Sequence, residues 1–307
     1  MGVLKTLTDE YFGYTERKED AIPGVIRKDF TDNNGTKHHA GYYIEDGKNE
    51  TLKKLLKKLI DERGTTGDFN DIDVSNITDM SDLFRGYGGY SNTFPEFRNF
   101  NGNISGWNVS GVKNMKNMFY LTNYFNCDIS NWDVSGVTNM NNMFAGAEEF
   151  NQPIGKWNVG SVTDMGHMFW GSLSFNQDIN DWDVRNVENM SSMFNQCVFN
   201  SPIGKWTIVK VTTMENMFYG NKYFDQDISD WNVSSVRTMR SMFEDAKKFN
   251  QPIGKWQVGG VTTMSEMFSG AESFNQDIHN WDVKNIKYYS CIFDCCPIRD
   301  KYKPKFR

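Results

Sequence analysis

Charged and amide side chains recur immediately before a tryptophan throughout the chain. They alternate between lysine and either aspartate or asparagine, in the order Asn131, Lys156, Asp181, Lys205, Asp230 and Lys255. A second polar set follows the tryptophan and consists of Asp133, Asn158, Asp183, Asn232 and Asp282. Such groups form charge-assisted hydrogen bonds with a partner, or with each other where repeats stack. We name these sets the pre-tryptophan column and the post-tryptophan column, and we predict that they form a recognition surface.

Aromatic side chains offer a second candidate surface. Tyr120, Trp170 and Tyr219 stand where other repeats have small or polar residues. Tyr124 and Tyr223 precede the first phenylalanine of a repeat, and Tyr87 and Tyr90 lie in an insertion before the first tryptophan. Exposed tyrosine and tryptophan provide apolar area with a polar group, which suits a sugar ring or a protein hot spot. The alternative is lateral packing between neighbouring repeats.

Catalytic and metal-binding patterns have little support in the sequence. No single repeat position collects the histidines, which are His38, His39, His167 and His279. Nucleophile-elbow, phosphate-loop and zincin motifs do not occur, and adjacent Cys295 and Cys296 lack the spacing of zinc knuckles. Carboxylates are plentiful, so a glycosidase-like pair remains as an alternative. We predict a protein that is not an enzyme and that binds no metal or cofactor.

The elements that must position these side chains belong to a sequence repeat. Its tryptophans recur at steps of 24 or 25 residues, at Trp107, Trp132, Trp157, Trp182, Trp206, Trp231, Trp256 and Trp281. A fixed period in this range is typical of solenoids, whose units bury their apolar sides by stacking on one another. Within each repeat, Ile-x-x-Trp-x-Val has the alternation of a strand, and Val-x-x-Met-x-x-Met-Phe has the spacing of a short helix or 3₁₀ turn.

The sequence therefore predicts an α/β repeat solenoid, similar to leucine-rich repeats. We expect about nine coils of 25 residues, each with one short parallel strand and one short helix or 3₁₀ turn. The methionines are expected to fill the core. A short amide side chain near the start of the repeat is expected to bond backbone groups of its own and adjacent coils, at Asn101, Asn126, Asn151, Asn176, Asn200, Asn250 and Asn275, with Asp225 as the exception.

Four segments follow from where the repeat begins and ends. They are a non-repeat segment with a β-hairpin, a capping helix, the solenoid and a basic tail, at residues 1–48, 49–64, 65–293 and 294–307. The hairpin is predicted within Gly24–Ile44, around the turn signal Asn34-Gly35. The helix has Asn49 or Thr51 as the expected N-cap. Its apolar face should cover the first coil, and its other face should be solvated, with Lys53, Lys54, Lys57 and Lys58.

Composition limits the partners and the compartment. A net charge of −6 gives no bulk attraction to nucleic acid. The chain has no run of 18 apolar residues, and Met1–Glu10 lacks the apolar core of a signal peptide. Five cysteines, an odd number, suit a reducing compartment. We predict no transmembrane segment and a cytoplasmic location, with association with a virion or a cell surface as the alternative.

The segment FNCDISNWDVSGVTNMNNMF, from Phe125 to Phe144, and its counterparts resemble the BspA-type leucine-rich-repeat surface proteins. That group includes the mycoplasma lipoprotein-like repeat domain of unknown function. The junction from Glu62 to Met80 also resembles the family's N-terminal lead-in, and the likeness covers residues 50 to 293. The resemblance implies a leucine-rich-repeat fold and non-catalytic binding, often adhesion to host proteins. Similar repeats in large DNA viruses and protists imply a virion or intracellular scaffold as an alternative.

The predicted function is a non-enzymatic scaffold that binds another protein through the strand face that carries the two columns. A structural assembly component is the first alternative, and a glycan-binding module using the aromatic set is the second. Binding that depends on the charged columns would favour the scaffold. Dependence on the ends of the stack would favour assembly, and dependence on aromatic residues would favour glycan binding.

Overall fold

A small sheet precedes the repeats in the computed structural model, which describes residues 14–18, 22–32, 34–86 and 95–306. Its strands are β1, β2, β3 and β4, at Tyr14–Lys18, Val25–Thr31, Lys37–Ile44 and Ile72–Asp73. β1 with β2 and β2 with β3 are antiparallel, whereas β3 and β4 are parallel. The predicted hairpin is confirmed, with Gly35 in a left-handed conformation (φ +81°) between β2 and β3. Because β4 belongs to the first coil, the sheet joins the hairpin to the repeats.

Helix α1 spans Asn49–Arg63, as the periodicity predicts, and Gly64 ends it with a φ of +76°. Its apolar face is buried in the same core as the repeats, through Leu52, Leu55, Leu56, Leu59 and Ile60. The predicted N-cap is wrong, because Lys48 precedes the helix and makes no side-chain capping bond. The Asn49 amide instead donates to the Ser81 carbonyl at 2.6 Å.

The lysine face of α1 is only partly solvated. Lys53 is half-buried and its Nζ donates to the carbonyl of Asp82, in the first coil, at 2.7 Å. Burial lowers the pKa of this ammonium group, against the opposing attraction of the Asp82 and Glu50 carboxylates. Lys53 therefore joins α1 to the stack, which corrects the expected solvated position, while Lys54 and Lys57 are exposed.

Consecutive repeats are joined by a ladder of parallel backbone bridges. The bridges run from each repeat to the next through Asp79, Asn114, Asn139, Asp164, Asn189, Thr213, Thr238, Thr263 and Tyr288. These residues lie between the second valine and the first methionine of each repeat, not beside the tryptophan. In the coils with a tryptophan, the strand predicted over Ile-x-x-Trp-x-Val is therefore wrong; in the first coil, where Ile72 replaces the tryptophan, β4 lies at this position. That segment is instead closed by local turns, such as Trp132 N–H to the Ile129 carbonyl at 3.1 Å.

The segment predicted as a short helix is a chain of turns. In one coil the Met118 N–H donates to the Met115 carbonyl, and the Thr122 N–H donates to the Phe119 carbonyl, both at 3.1 Å. The third residue of each turn is left-handed, with φ values of +55° at Asn117 and +56° at Leu121, as type II turns require. Such turns repeat apolar residues every three positions, as a 3₁₀ helix does, so the spacing alone did not distinguish the two.

Side chains hold the coils together from inside. The methionines and phenylalanines of the central coils are fully buried, and the eight tryptophans that define the repeat are each 3–4% exposed. The rings stack from coil to coil, with Phe144 and Phe169 at 5.8 Å between centroids. Each tryptophan donates its indole N–H to a carbonyl of the preceding coil, as Trp231 does to Ile203 at 3.1 Å. The core-filling role predicted for the methionines is confirmed.

The short amide side chains near the start of each repeat, which we name the asparagine ladder, make the predicted bonds between coils. The Asn126 Oδ1 accepts the Asn151 N–H at 3.0 Å and the Gln152 Nε2 at 2.8 Å, and the other coils repeat this arrangement. Asp225 does the same, because its carboxylate accepts the Asn250 N–H at 2.9 Å. These bonds satisfy backbone N–H groups that would otherwise have no partner inside the stack.

The C-terminal segment packs on the last coil. The Ile278 N–H donates to the Tyr302 carbonyl at 3.0 Å, Ile298 and Pro304 are buried, and Phe306 stacks on Tyr289 at 4.6 Å. The basic tail therefore covers the aromatic side chains of the last coil. None of the helices in the described residues is long and apolar enough to cross a lipid bilayer.

Candidate binding site

The two columns beside the tryptophans lie on the surface, as the sequence predicts. All of the residues that we assigned to them are exposed, and the tryptophan between them is buried: Asn131, Lys156, Asp181, Lys205, Asp230, Lys255, Asp133, Asn158, Asp183, Asn232 and Asp282. They flank a turn rather than a strand, so the face they share is not a sheet face. Their exposure permits binding, and their existing bonds indicate how available each column is.

The post-tryptophan column is engaged in local turns. Asp133 Oδ1 accepts the Ser135 N–H at 3.0 Å, and Asn232 Oδ1 accepts the Ser234 N–H at 3.1 Å. The hydrogen bonds from Ser135 lower the pKa of the Asp133 carboxyl. Such Asx turns explain why aspartate or asparagine recurs here without any ligand. The sequence signal at this column is structural in origin.

The pre-tryptophan column is freer. Lys205 Nζ lies 2.7 Å from Asp181 Oδ1 of the preceding coil, and these side chains are 68% and 79% exposed. The hydrogen bond and charge of Asp181 raise the pKa of Lys205. This pair is the neighbouring-coil contact that the alternation of lysine and aspartate predicts. An ion pair so exposed adds little to stability.

The aromatic set is divided by the structure. Tyr120 and Trp170 are half-buried and line one concave surface, described below. Tyr219 is also half-buried and occupies the same repeat position as Tyr120 and Trp170, in a later coil. Tyr124 (56% exposed) and Tyr223 (48% exposed) occupy a different repeat position, outside this concave surface. Tyr87 and Tyr90 lie outside the described residues.

A trough runs across five coils on the ladder side of the stack. Its volume is about 540 Å³ and it is lined by Arg85, Lys116, Asn117, Tyr120, Asn142, His167, Trp170, Ser192 and Asn195. We name this concave surface the trough. Two rows of side chains form it. One row contains Asn117, Asn142, His167 and Ser192, and the other contains Arg85, Tyr120, Trp170 and Asn195.

Backbone geometry fixes the first row. Asn117, Asn142, His167 and Ser192 each occupy the left-handed third position of a turn, with φ between +54° and +58°. Asparagine tolerates this conformation better than most residues, whereas histidine and serine there are less common. Because the ladder holds each turn in register with the next, the row presents its polar groups at a regular spacing.

Charge in the trough is confined to one end. Arg85 Nη1 pairs with Asp82 at 2.8 Å, and the Arg85 guanidinium carbon lies 5.0 Å from the Tyr120 ring centroid. Lys116 is exposed beside it, and the remaining lining side chains carry amide, hydroxyl, imidazole or indole groups. Burial lowers the pKa of His167, although nearby Asp164 acts in the opposite direction. The ring is therefore neutral near pH 7.

Two buried polar atoms of the trough lack partners. Arg85 Nε and Asn195 Oδ1 are inaccessible to solvent and make no hydrogen bond within the described structure. Such atoms cost free energy unless they find a partner. These two atoms lie beneath the trough surface, while the accessible lining combines aromatic area with polar side chains, as binding surfaces do.

Among the described residues, no group of three or more histidine, cysteine, aspartate or glutamate side chains is arranged to hold a metal ion. The two histidines of the hairpin have separate carboxylate partners, as expected from their opposite faces. His38 Nε2 contacts Asp32 at 3.0 Å, and His39 contacts Asp29 at 3.3 Å and Asp71 at 3.2 Å.

The comparison with known families finds the repeat region twice. The model described as "Mycoplasma protein of unknown function, DUF285" matches residues 88–201 and again residues 190–302, and the two matches together cover more than half of the chain. The chain belongs to this family. Apart from Arg85, the trough lies within the first DUF285 match. No curated protein and no solved structure matches the chain.

Most of the trough was not found by the sequence analysis, which singled out only Tyr120 and Trp170 for this role. Asn117, Asn142, His167, Ser192 and Asn195 were not assigned to a surface, because the repeat varies at these positions and no residue type occupies them in every coil. That variation is itself the available signal. Positions that need not pack the core or close a turn by a side-chain bond are free to differ between coils.

Proposed function

We propose that this DUF285 protein is a non-catalytic binding scaffold that recognises another protein through the trough. The observation that carries the proposal is the trough itself, with Tyr120 and Trp170 beside the partly exposed polar side chains of Asn117, Asn142 and His167. Stacked coils would supply a rigid frame, so that little conformational entropy is lost when a partner binds. In this proposal the post-tryptophan column serves to close turns, and the pre-tryptophan column is a secondary contact surface.

The proposal includes the fold type. We interpret the stack as a solenoid related to leucine-rich repeats, with α1 as its N-terminal cap and the ladder of turns in place of regular strands. The resemblance to BspA-type surface proteins supports non-catalytic binding, since that group is known for adhesion. DUF285 membership assigns no ligand to the chain.

The test is a binding screen of the full chain against a panel of purified cell-surface proteins. For a protein that binds, we expect Tyr120→Ala/Trp170→Ala to weaken the affinity about thirtyfold or more, as loss of central aromatic anchors does. The matched control is Tyr124→Ala/Tyr223→Ala, which removes as many exposed aromatic rings outside the trough and should leave the affinity unchanged.

A charge-reversal variant tests the pre-tryptophan column separately. Lys156→Glu/Lys205→Glu/Lys255→Glu alters that column and leaves the trough intact. If this variant loses binding while Tyr120→Ala/Trp170→Ala retains it, the contact surface is the tryptophan-flanking face and the trough proposal fails.

Glycan binding is the second candidate function, because of the groups that accompany the aromatic rings. Asn117, Asn142, Ser192 and Asn195 can donate and accept hydrogen bonds from hydroxyl groups, and both ring faces of sugars pack on tyrosine and tryptophan. An oligosaccharide panel screened with the same variants distinguishes this function from protein binding.

A further inference from the structure

The ladder has a direction. Within the central coils, the N–H groups of Met115, Asn117, Phe119 and Leu121 all donate to carbonyls of the following coil, at 2.8–2.9 Å. Two backbone bonds between these coils run the other way, from the Thr138 N–H to the Lys113 carbonyl and from the Glu149 N–H to the Asn123 carbonyl. Each coil therefore presents a row of carbonyls towards the N-terminal end of the stack and a row of N–H groups towards the C-terminal end.

The carbonyl end is covered by donors from α1. The Asn49 amide donates to the Ser81 carbonyl at 2.6 Å, and Lys53 Nζ donates to the Asp82 carbonyl at 2.7 Å. Both acceptors belong to the first coil. The Ser81 carbonyl lies in the ladder row, so Asn49 replaces one of the N–H donors that a preceding coil would supply, whereas the Asp82 carbonyl lies in the adjoining turn.

The N–H end has no corresponding cap within the described residues. In the last coil the N–H groups of Cys291, Phe293 and Cys295 occupy the donor positions and have no acceptor. One coil earlier, the equivalent donors Glu266, Phe268 and Gly270 are all bonded, at 2.8–2.9 Å. The C-terminal segment covers the aromatic side of this coil, where Lys303 lies 5.7 Å from the Phe293 ring, and does not pair with the row.

We propose that the N–H row of Cys291, Phe293 and Cys295 is a docking edge for an extended segment of another protein that presents backbone carbonyls and carries lysine or arginine beside them. Strand addition at an exposed edge uses the same main-chain hydrogen bonds. The interior coils show which partner such a row accepts, because there the equivalent N–H groups donate to backbone carbonyls of the next coil.

Charge next to the edge selects a basic segment. Asp294 is exposed in the last coil, and Glu266 and Glu244 lie on the two coils before it. All three carboxylates raise the pKa of the exposed Cys291 thiol, Asp294 most strongly. Burial and the neighbouring carboxylates of Glu266 and Asp245 raise the pKa of Glu244, whereas Arg240, which pairs with Glu266 at 3.4 Å, acts in the opposite direction. The exposed Asp294 is therefore the carboxylate nearest the edge that we expect to attract a basic segment.

A second copy of the chain does not supply the missing acceptors. Its first coil is packed against α1, whose Asn49 bonds the Ser81 carbonyl, and its last coil offers another row of N–H groups. Donor facing donor gives no hydrogen bonds. The occupant in this proposal is a segment of a different protein, and the edge is separate from the trough, which lies on the opposite half of the stack.

The test uses amide hydrogen exchange of the full chain, read residue by residue by NMR. In the free chain we expect the Cys291, Phe293 and Cys295 amides to exchange much faster than those of Glu266, Phe268 and Gly270. The probe is a synthetic peptide copying residues 112–123, a ladder segment that carries Lys113 and Lys116. At ten times its dissociation constant, the peptide should slow the three amides about tenfold and leave the matched amides unchanged.

Two controls address the charge. A peptide with both lysines replaced by glutamate should bind more weakly, and the Asp294→Lys variant should reverse the order of the two peptides. If the three amides are already as protected as their matched counterparts in the free chain, the edge is covered and the proposal is overturned. It is also overturned if the peptide leaves their exchange unchanged at millimolar concentration.

Discussion

At the scale of single residues, the stack depends on side chains that complete the backbone hydrogen bonding of a neighbouring coil. The asparagine ladder and the indole N–H groups both do this, and both were visible in the sequence because one residue type recurs at one position. Asp225 shows that the asparagine ladder needs a hydrogen-bond acceptor at this position and not an amide as such. The polar residues of the trough differ in type from coil to coil, so they were not recognised from the sequence.

Replacing one asparagine of the ladder tests this role. In Asn126→Ala the N–H of Asn151 and the amide of Gln152 lose an acceptor, which should lower the free energy of unfolding by about 1–2 kcal/mol in urea titrations. Asn126→Asp is the matched control and should cost much less, because Asp225 performs the same task in the native chain. Equal losses in the two variants would contradict an acceptor role.

At the scale of elements, the hairpin, α1 and the first coil form one cap. Arg63 of α1 makes a two-bond contact with Asp71 at 2.7 and 2.9 Å, and His39 of β3 reaches the same carboxylate. The helix and the hairpin were predictable because each has its own local signal. The contacts between them, and the position of the ladder, were not, because local turn bonds and pairing between coils compete in ways that periodicity does not show.

The Asp71 carboxyl should give the cap a pH dependence. Burial alone would raise its pKa, but the hydrogen bonds and charge of Arg63 outweigh this and lower the pKa below 3.8. Its stabilising contribution is therefore fully present well above pH 3.8 and is lost as the pH falls through the lowered value. Thermal unfolding between pH 7 and pH 3 should show a steeper loss for the native chain than for Asp71→Asn. Parallel curves would contradict this assignment.

The junction between β3 and the first coil should be intolerant of a side chain at Gly41. A Cβ there would lie 2.3 Å from the Asp71 carbonyl oxygen, which accepts the Tyr42 N–H at 2.8 Å. We expect Gly41→Ala to destabilise the chain by about 1–3 kcal/mol, measured by urea unfolding. Gly35→Ala is the control, because it also has a positive φ but meets nothing within 4 Å. A similar cost for both variants would leave no role for the contact.

At the scale of the whole molecule, stability is expected to be a sum over coils and their interfaces, as in other repeat proteins. Coils of the type that contains Lys156 alternate with coils of the type that contains Asp181. The natural unit of change is therefore a pair of coils. Repetition made the stacking predictable from the sequence, whereas the location of a binding surface depends on departures from the repeat.

Deleting two coils should give a shorter folded protein. Removal of Asn200–Phe249 rejoins Phe199 to Asn250 in the same register and leaves the trough intact. We expect the maximum dimension from small-angle scattering to fall by about 10 Å. Deletion of Asp225–Phe249 alone would place Lys205 beside Lys255, and because exposed charges contribute little it should cost less stability than the two-coil deletion. Unfolding of the two-coil deletion would contradict a stack that is additive in its coils.

The measurement that tests the central proposal most directly is a footprint of a bound partner on the chain. Amide exchange would be compared with and without the tightest ligand from the screen. We expect protection in the four ladder segments that line the trough, around Asn117, Asn142, His167 and Ser192. Protection around the tryptophan-flanking columns instead, with the trough segments unchanged, would contradict the proposal that the trough is the recognition surface.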